Sequence, residues 1–255
     1  EGNVVKQGEA VAVEAGPRPL WFNPPVGDEE NRRRVLSRER VVAEALAVIG
    51  ADGVDALSMR GLASRLGVVP GALYRHVRNK EQLYDLVLDA VLADVDCEVD
   101  HSLDWTEQVT VLADRLRAVL EDHPGIAGLL KTRDPLGPHS LALAEAFLAP
   151  LQVAGLSDRD TGLAFFLIYD YILGFALGGR SSINEQRVHD AATRRQLHAF
   201  LRSLPAQRFP TLVTLGEHVW VDNRDQRFAA GLNTLVHGLE AARPKPRRGR
   251  PQPQH

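Results

Sequence analysis

Apolar residues recur at helical spacing through most of the chain. In the first such segment Val42, Leu46 and Ile49 fall at i, i+4 and i+7, the spacing of one face of an α-helix. Ser37 precedes this segment as a helix-capping residue, and the pattern ends near Gly50. No run of alternating apolar and polar residues, bounded by hairpin turns, interrupts the helical pattern. The chain is therefore predicted to be all-α.

Two shorter helices follow, joined by a tight turn. Ser58 caps the first of them and Gly67 supplies its C-terminal stop. Pro70 presets the backbone at the start of the second, whose inner face carries Leu73 and Val77. Two short helices joined by a tight glycine turn form a helix-turn-helix, a motif whose second helix enters the DNA major groove. We call this second helix the recognition helix.

The outer face of the recognition helix carries residues suited to reading base edges. Gly71 and Ala72 are small enough for close backbone approach, and Ala72 can contact a thymine methyl. Arg75 can pair with guanine, while Tyr74 and His76 can each reach a phosphate or a base edge. The alternatives are structural: Tyr74 props the helix against its own domain, and His76 is a capped surface residue.

Residues flanking the recognition helix are placed to approach the DNA backbone. Lys80 follows the helix cap Asn79, and a lysine beside helix N-terminal amides is a suitable phosphate ligand. Met59 and Arg60 begin the preceding helix and are predicted to lie beside the backbone or the groove edge. The predicted DNA-contacting set of the motif is Met59, Arg60, Pro70, Gly71, Ala72, Tyr74, Arg75, His76 and Lys80.

The charge is uneven along the chain, although the net charge is only −3. Residues 31–80 hold about ten Arg or Lys against four Asp or Glu, whereas residues 81–242 hold about thirteen against twenty-three. A nucleic-acid-binding unit on an acidic body produces this pattern, because cations are needed only where the polyanion docks. Chance segregation of charge is the alternative.

Four segments follow from these patterns. Residues 1–31, rich in Pro and Gly, are predicted to be a flexible arm, and residues 32–80 a DNA-binding head of three helices. Residues 81–242 are predicted to be a helical bundle for ligand binding and dimerisation, and residues 243–255 a basic disordered tail. The first helices of the body are predicted from Lys80 to Val99 and from Trp105 to Asp122. Arg18 and Arg33 are predicted to lie along the minor groove, with a solvated tail as the alternative.

Composition removes several classes of protein. The single cysteine, Cys97, excludes an intramolecular disulfide framework, and no zinc-ligand spacing is present. No glycine-rich phosphate loop or nucleophile elbow points to an enzyme, and no cofactor is expected. No uninterrupted apolar run reaches the roughly 20 residues of a membrane span, and no secretory signal is evident. The expected location is therefore the cytoplasm.

The chain resembles the TetR family of transcriptional repressors. The segment from Leu36 to Val91 looks like the family's N-terminal domain, and LYRHVRNK, from Leu73 to Lys80, is especially specific. The Asp104-Trp105 helix start, the His123-Pro124-Gly125 turn and the Ala154-to-Ser157 junction resemble the tetracycline-repressor type of C-terminal domain. Where the family often has a hydroxyl donor to phosphate, this chain has Met59 and Ala72, which implies a different operator preference.

The resemblance implies a homodimer that binds a palindromic operator. The family's dimer interface is a four-helix arrangement, which here involves the helix from Ser157 to Gly178 and the last helix. The last helix carries an apolar stripe with no following chain to cover it, formed by Phe228, Leu232, Leu235 and Leu239. We expect a partner subunit to cover this stripe, and an intrachain core is the alternative.

The resemblance also implies a small-molecule effector. The polar positions that grip magnesium-tetracycline in the family correspond to Asp96, Leu112, Leu130 and Phe147, which disfavours that ligand. A large hydrophobic or aromatic effector is expected instead, such as an antibiotic or its precursor. The alternative is that these side chains only fill the core. The predicted lining is Leu112, Leu116, Leu129, Leu130, Phe147, Phe165, Phe166, Tyr169 and Ile172.

The function predicted from sequence is that of a ligand-released repressor of an efflux or biosynthesis gene. The helix from Lys80 is expected to carry the ligand signal to the head, with the segment 131–137 as the moving turn. A transcriptional activator is an alternative within the same class. A helical interaction protein that binds no DNA is one alternative from another class, and it would need neither the helix-turn-helix nor the basic head. An all-helical enzyme, with a site assembled from the nine histidines and the many acids, is the other.

Overall fold

The computed structural model describes residues 36–123, 125–178, 191–219 and 224–243. These residues form helices and connecting turns without any strand, so the prediction of an all-α fold is confirmed within them. The eleven described α-helices are α1 (Arg38–Asp52), α2 (Met59–Leu66), α3 (Pro70–Leu73), α4 (Lys80–Leu92), α5 (Trp105–Asp122), α6 (Ile126–Leu130), α7 (Pro138–Val153), α8 (Asp158–Gly178), α9 (Ala191–Arg202), α10 (Pro210–Val219) and α11 (Arg224–Ala241).

Helices α1 to α3 form the head, and local signals set their ends. The Ser37 hydroxyl accepts a hydrogen bond from the Arg40 amide at 3.2 Å, and the Ser58 hydroxyl accepts one from the Gly61 amide at 3.1 Å. Gly67 ends α2 in the left-handed conformation, with φ at 69°, which a side chain would disfavour. The helix-turn-helix predicted from the sequence is therefore present.

Helix α4 joins the head to the remaining helices, which we call the body. It packs on α1 in the head and on α5, α6 and α7 in the body, with Leu83, Val87, Leu88 and Val91 buried. The prediction that α4 continues to Val99 is wrong. The Asp96 and Asp100 carboxylates accept from amides two residues ahead, at 3.0 and 2.8 Å, and such turns compete with helix.

Helices α5, α7 and α8 pack against one another and form the centre of the body. A reciprocal cap starts α5: the Asp104 carboxylate accepts from the Glu107 amide at 2.9 Å, and the Glu107 carboxylate accepts from the Asp104 amide at 3.1 Å. Helix α8 is long and apolar enough to span a bilayer by length and composition, yet Ala164, Ile168 and Ile172 on its inner face are buried in this core.

Helix α11 packs on α8 and α5 of its own chain. The expectation that a partner subunit covers its apolar stripe is wrong for Phe228 and Leu232, which are buried within the chain together with Val236, whereas Leu235 and Leu239 are half-buried. Tyr171 of α8 contributes to the burial of Phe228: its ring stacks on the Phe228 ring at 5.4 Å, and its hydroxyl donates to the Phe228 carbonyl at 2.8 Å.

Helices α9 and α10 pack on each other, and Leu201 of α9 contacts Gly216 of α10.

Candidate DNA-binding surface and effector site

The recognition helix α3 ends at Leu73 and is continued by the turn at residues 74–77, and this unit is anchored on one face and open on the other. Leu73 and Val77 are fully buried in the head, which fixes the helix by its inner side. Pro70, Gly71, Tyr74 and Arg75 are exposed, whereas Ala72 and His76 are half-buried. A rigid helix that presents polar and small side chains to solvent is the arrangement that major-groove reading requires. Tyr74, at 53% exposure, is directed outward rather than packed into the head.

His76 lies on this surface near the charges of Arg38, Glu39 and Arg75, of which Glu39 alone favours the protonated ring. Burial lowers the pKa of the His76 imidazole, and the nearby charges of Arg38 and Arg75 lower it further. The ring is therefore uncharged at neutral pH. It offers one donor and one acceptor rather than a point charge, which suits a base edge better than a phosphate.

The flanking residues divide into two groups. Arg60 is exposed at the start of α2, and Lys80 lies at the start of α4 with its Nζ 5.3 Å from the Tyr84 ring centre. Met59, in contrast, is half-buried and packs against the core of the head. Arg18 and Arg33 lie outside the described residues, so their predicted contacts with the minor groove stay predictions.

Val69 is a surface residue that sequence reasoning missed. It precedes Pro70 as the N-terminal flank of α3 and is 72% exposed. An exposed valine at the corner of a DNA-facing helix can contact a thymine methyl. The available signal was that Val69 lies in the turn between Gly67 and Pro70, where no helix face directs its side chain inward.

Most of the predicted effector lining is brought together in the body. Leu112, Leu116, Leu129, Leu130, Phe147 and Ile172 are buried there. Phe147 meets Phe165 edge to face at 6.3 Å between ring centres, and Phe165 stacks on Tyr169 at 5.7 Å with a tilt of 17°. Phe165 and Tyr169 are half-buried, so this aromatic stack lies at the margin of the core.

Phe166 is the most exposed member of this set. Its side chain is 57% exposed beside Leu163 and Leu167, which are also exposed, and its ring meets the Phe165 ring edge to face at 5.2 Å between centres. Adjacent residues on a helix point about 100° apart, so Phe166 borders the aromatic stack without being buried in it. Leu177 continues the same face near the end of α8. We call Leu163, Phe166, Leu167 and Leu177 the outer apolar face of α8.

Burial raises the pKa of the Tyr169 phenol well above its ordinary value, and the carboxylates of Asp134 and Asp170 act in the same direction. The phenol therefore stays protonated and can donate a hydrogen bond. Among the described residues no group of three His, Cys, Asp or Glu side chains is placed to hold a metal ion.

The turn between α6 and α7 is fastened to α4 at two places. At the first, the buried Asp89 carboxylate of α4 caps α7, accepting from the amides of His139 and Ser140 at 3.0 Å each. His139 Nδ1 and the Ser140 hydroxyl also bond this carboxylate, at 2.9 and 3.0 Å. Gly137 leaves the space that the carboxylate fills, because a Cβ there would collide with it.

At the second place, Arg133 binds two carboxylates of α4. Its Nε donates to the Asp85 carboxylate at 2.9 Å, and its Nη1 pairs with Glu81. Glu81, Asp85 and Asp89 fall at i, i+4 and i+8, so all three lie on one face of α4. Sequence reasoning missed these contacts, although the spacing of the three acids along an otherwise apolar helix was the available signal.

Two family models match the chain. The model of bacterial regulatory proteins of the tetR family matches residues 41–87. The model of the tetracyclin repressor-like C-terminal domain matches residues 100–243, which is more than half of the chain.

Individual relatives agree with these matches. An HTH-type transcriptional regulator of Saccharopolyspora erythraea is 34% identical over 89% of this chain and 94% of its own length. The HTH-type transcriptional repressor DrrR1 of Streptomyces coeruleorubidus is 30% identical over 80% of this chain and 77% of its own. The crystal structure of the TetR family protein ActR of Streptomyces coelicolor in complex with actinorhodin superposes with a TM-score of 0.74. It is 35% identical and covers 83% of this chain and all of that one. This chain therefore belongs to the TetR family of DNA-binding transcriptional regulators.

Proposed function

We propose that this regulator is a repressor that binds a palindromic operator as a homodimer and is released by a large aromatic molecule. The observation that carries the proposal is the double packing of α4. Because α4 contacts α1 in the head and α5, α6 and α7 in the body, a ligand that moves the body also moves the head.

The DNA half of the proposal rests on the exposed face of α3. Arg75 is exposed, and its fork of donors suits the O6 and N7 atoms of guanine. Gly71 and Ala72 permit the backbone of α3 to approach the groove. Met59, packed in the head, supplies no hydroxyl for a phosphate, which supports an operator preference distinct from that of relatives with a donor there.

The dimer is supported by the outer apolar face of α8. Four large apolar side chains on one helix face are costly in water, and a second copy related by two-fold symmetry would cover them. A two-fold dimer also presents two recognition helices to two half-sites about one helical turn apart. The palindromic operator and the dimer are thus one proposal.

The effector half rests on the aromatic stack of Phe147, Phe165 and Tyr169. Stacked and edge-on rings at a core margin provide large flat contact area for another ring system. ActR has been crystallised with actinorhodin and with (S)-DNPA, which supports an aromatic effector here. Leu112, Leu130 and Phe147 hold no polar group for a magnesium-tetracycline complex. We infer that the regulated gene encodes a protein for the efflux or the biosynthesis of such a compound. The regulator is proposed to act in the cytoplasm, where the operator lies.

The release step is proposed to run through the α6–α7 turn. Ligand entry beside Phe147 displaces α7, and α7 holds α4 through Asp89 while the turn holds it through Arg133. A shift of α4 changes the spacing of the two heads in the dimer. The ligand must bind the altered state more tightly than the operator-bound state for release to follow.

Selection of bound duplexes from a random pool tests the proposal. We expect a palindromic winner, and we expect Arg75→Ala to weaken binding of that winner by about tenfold or more, because one bidentate base contact is lost. Arg208→Ala, an exposed arginine between α9 and α10, is the matched control. Titration of actinorhodin against the complex then tests release.

Two results would contradict it. Binding without sequence enrichment, fading uniformly with salt, would reduce the head to nonspecific phosphate attraction. An operator affinity that stays constant with actinorhodin and with a panel of fused-ring aromatic compounds would contradict the proposed release by an aromatic effector.

A further inference from the structure

Thr161, in the first turns of α8, carries a buried hydroxyl without a hydrogen-bond partner in the part of the chain that the structure describes. The residue is 7% exposed, and its Oγ1 atom is fully enclosed. A buried hydroxyl left unpaired destabilises the folded state, so such atoms are few and each one calls for an explanation.

The unpaired hydroxyl is a feature of position rather than of residue type. Thr110, Thr214 and Thr234 also lie within helices, and each donates its hydroxyl to the carbonyl four residues earlier, at 2.7, 3.0 and 2.8 Å. Thr161 has the same acceptor available, since its own amide donates to the Ser157 carbonyl at 2.8 Å. Its hydroxyl nonetheless makes no such bond. The three threonines that do bond are exposed, whereas Thr161 is in the core.

Thr161 lies in register with the aromatic stack. Thr161, Phe165 and Tyr169 fall at i, i+4 and i+8 on α8, and therefore follow one another along one side of the helix. The Phe165 ring contacts both Phe147 and Tyr169. By this register Thr161 lies at one end of the stack and Tyr169, with its protonated phenol, at the other, about 12 Å further along the helix axis.

We propose that Thr161 binds the effector through its hydroxyl, a step that rests on the proposed ligand-released function. The partner is an oxygen at one end of a planar fused-ring molecule whose rings lie against Phe165. Tyr169 donates to an oxygen at the other end. The ligand class is therefore a three- or four-ring aromatic compound with an oxygen function at each end of its long axis, rather than a purely hydrocarbon or a one-ring compound.

Two variants separate this role from a structural one. Thr161→Val removes the hydroxyl and keeps the branched shape, whereas Thr161→Ser keeps the hydroxyl and removes a methyl. The probes are 2,6-dihydroxyanthraquinone, which has a hydroxyl at each end, and anthraquinone, which has neither. Affinity is measured by quenching of protein fluorescence, and operator release is measured on the selected duplex.

We expect the wild type to bind the dihydroxy compound about tenfold or more tightly than anthraquinone. Thr161→Val should lose most of that preference and bind anthraquinone as the wild type does, while Thr161→Ser should retain the preference. Without ligand, Thr161→Val should melt at the wild-type temperature or above it, because an unpaired buried hydroxyl has been replaced by a methyl.

Three outcomes would overturn the inference. The first is an undiminished preference for the dihydroxy compound in Thr161→Val. The second is an equal loss for both probes with a lower melting temperature, which indicates a structural hydroxyl. The third is that the wild type binds neither probe. If actinorhodin still releases the operator in that third case, the proposed function stands and only this inference falls. If no aromatic compound releases the operator, the proposed function fails as well.

Discussion

The head and the body hold their helices with contacts of different range. In the head, Ser37 and Ser58 each cap a helix through an amide three residues away. In the body, Asp89 caps α7 across 50 residues of chain, and Arg133 reaches back 48 residues to Asp85. These two head caps join neighbours in sequence, whereas these two body contacts join partners that meet only after the chain has folded, although α5 in the body also has the local Asp104 cap. Three substitutions test this contrast.

The largest effect is expected from the centre of the body. Phe147→Ala removes a fully buried ring and its contact with Phe165, and we expect the free energy of unfolding to fall by about 3–5 kcal/mol. Urea unfolding followed by circular dichroism measures the loss. Leu141→Ala, an exposed residue of the same helix, should cost less than about 1 kcal/mol. Equal losses in the two variants would show that α7 is not packed by its Phe147 face.

A smaller effect is expected where the body grips α4. Asp89→Ala leaves two amides and the Ser140 hydroxyl without their acceptor, so the free energy of unfolding should fall by about 2 kcal/mol. Glu145→Ala, an exposed acid on α7, is the matched control. The same urea titration measures both. An Asp89→Ala protein as stable as Glu145→Ala would show that the long-range cap contributes nothing to stability.

The smallest effect is expected from a local cap in the head. Ser58→Ala removes the acceptor for the Gly61 amide, and we expect a loss of about 1 kcal/mol. Hydrogen exchange should show faster exchange for the first amides of α2 while the body amides keep their protection. Ser64→Ala, an exposed residue inside α2, serves as the control. Faster exchange that spreads into α7 and α8 would mean that the head is not stabilised locally.

The helix boundaries were predictable where a short segment contains its own capping residues. The predicted span of α5, from Trp105 to Asp122, is the observed one, because Asp104 starts it with a reciprocal cap. The end of α4 was missed because apolar periodicity continues past the point where Asp96 turns the backbone. The apolar stripe of α11 was seen, but not its partner Tyr171, since helical periodicity identifies a face and not what covers it.

The exposed face of the recognition helix was predictable for a similar reason. The recognition helix is built from contiguous residues, so identifying its buried residues, Leu73 and Val77, also identifies its exposed ones. The exposure of Phe166 was not foreseen because a run of apolar residues such as that around it does not show which face is inward. Asp89 and Arg133 were missed because their roles depend on partners about 50 residues away. The predicted set of DNA and effector contacts otherwise stays a prediction.

The space at Gly137 limits how this regulator can be recombined with its relatives. Asp89 belongs to the helix that joins the head to the body, and Gly137 belongs to the body, yet Gly137 cannot be exchanged alone: a side chain at position 137 would occupy the place of the Asp89 carboxylate. A chimaera joined after Lys80 keeps both residues together, whereas one joined between α4 and α5 separates them. A head transferred between relatives should therefore end at Lys80 and leave α4 with the body.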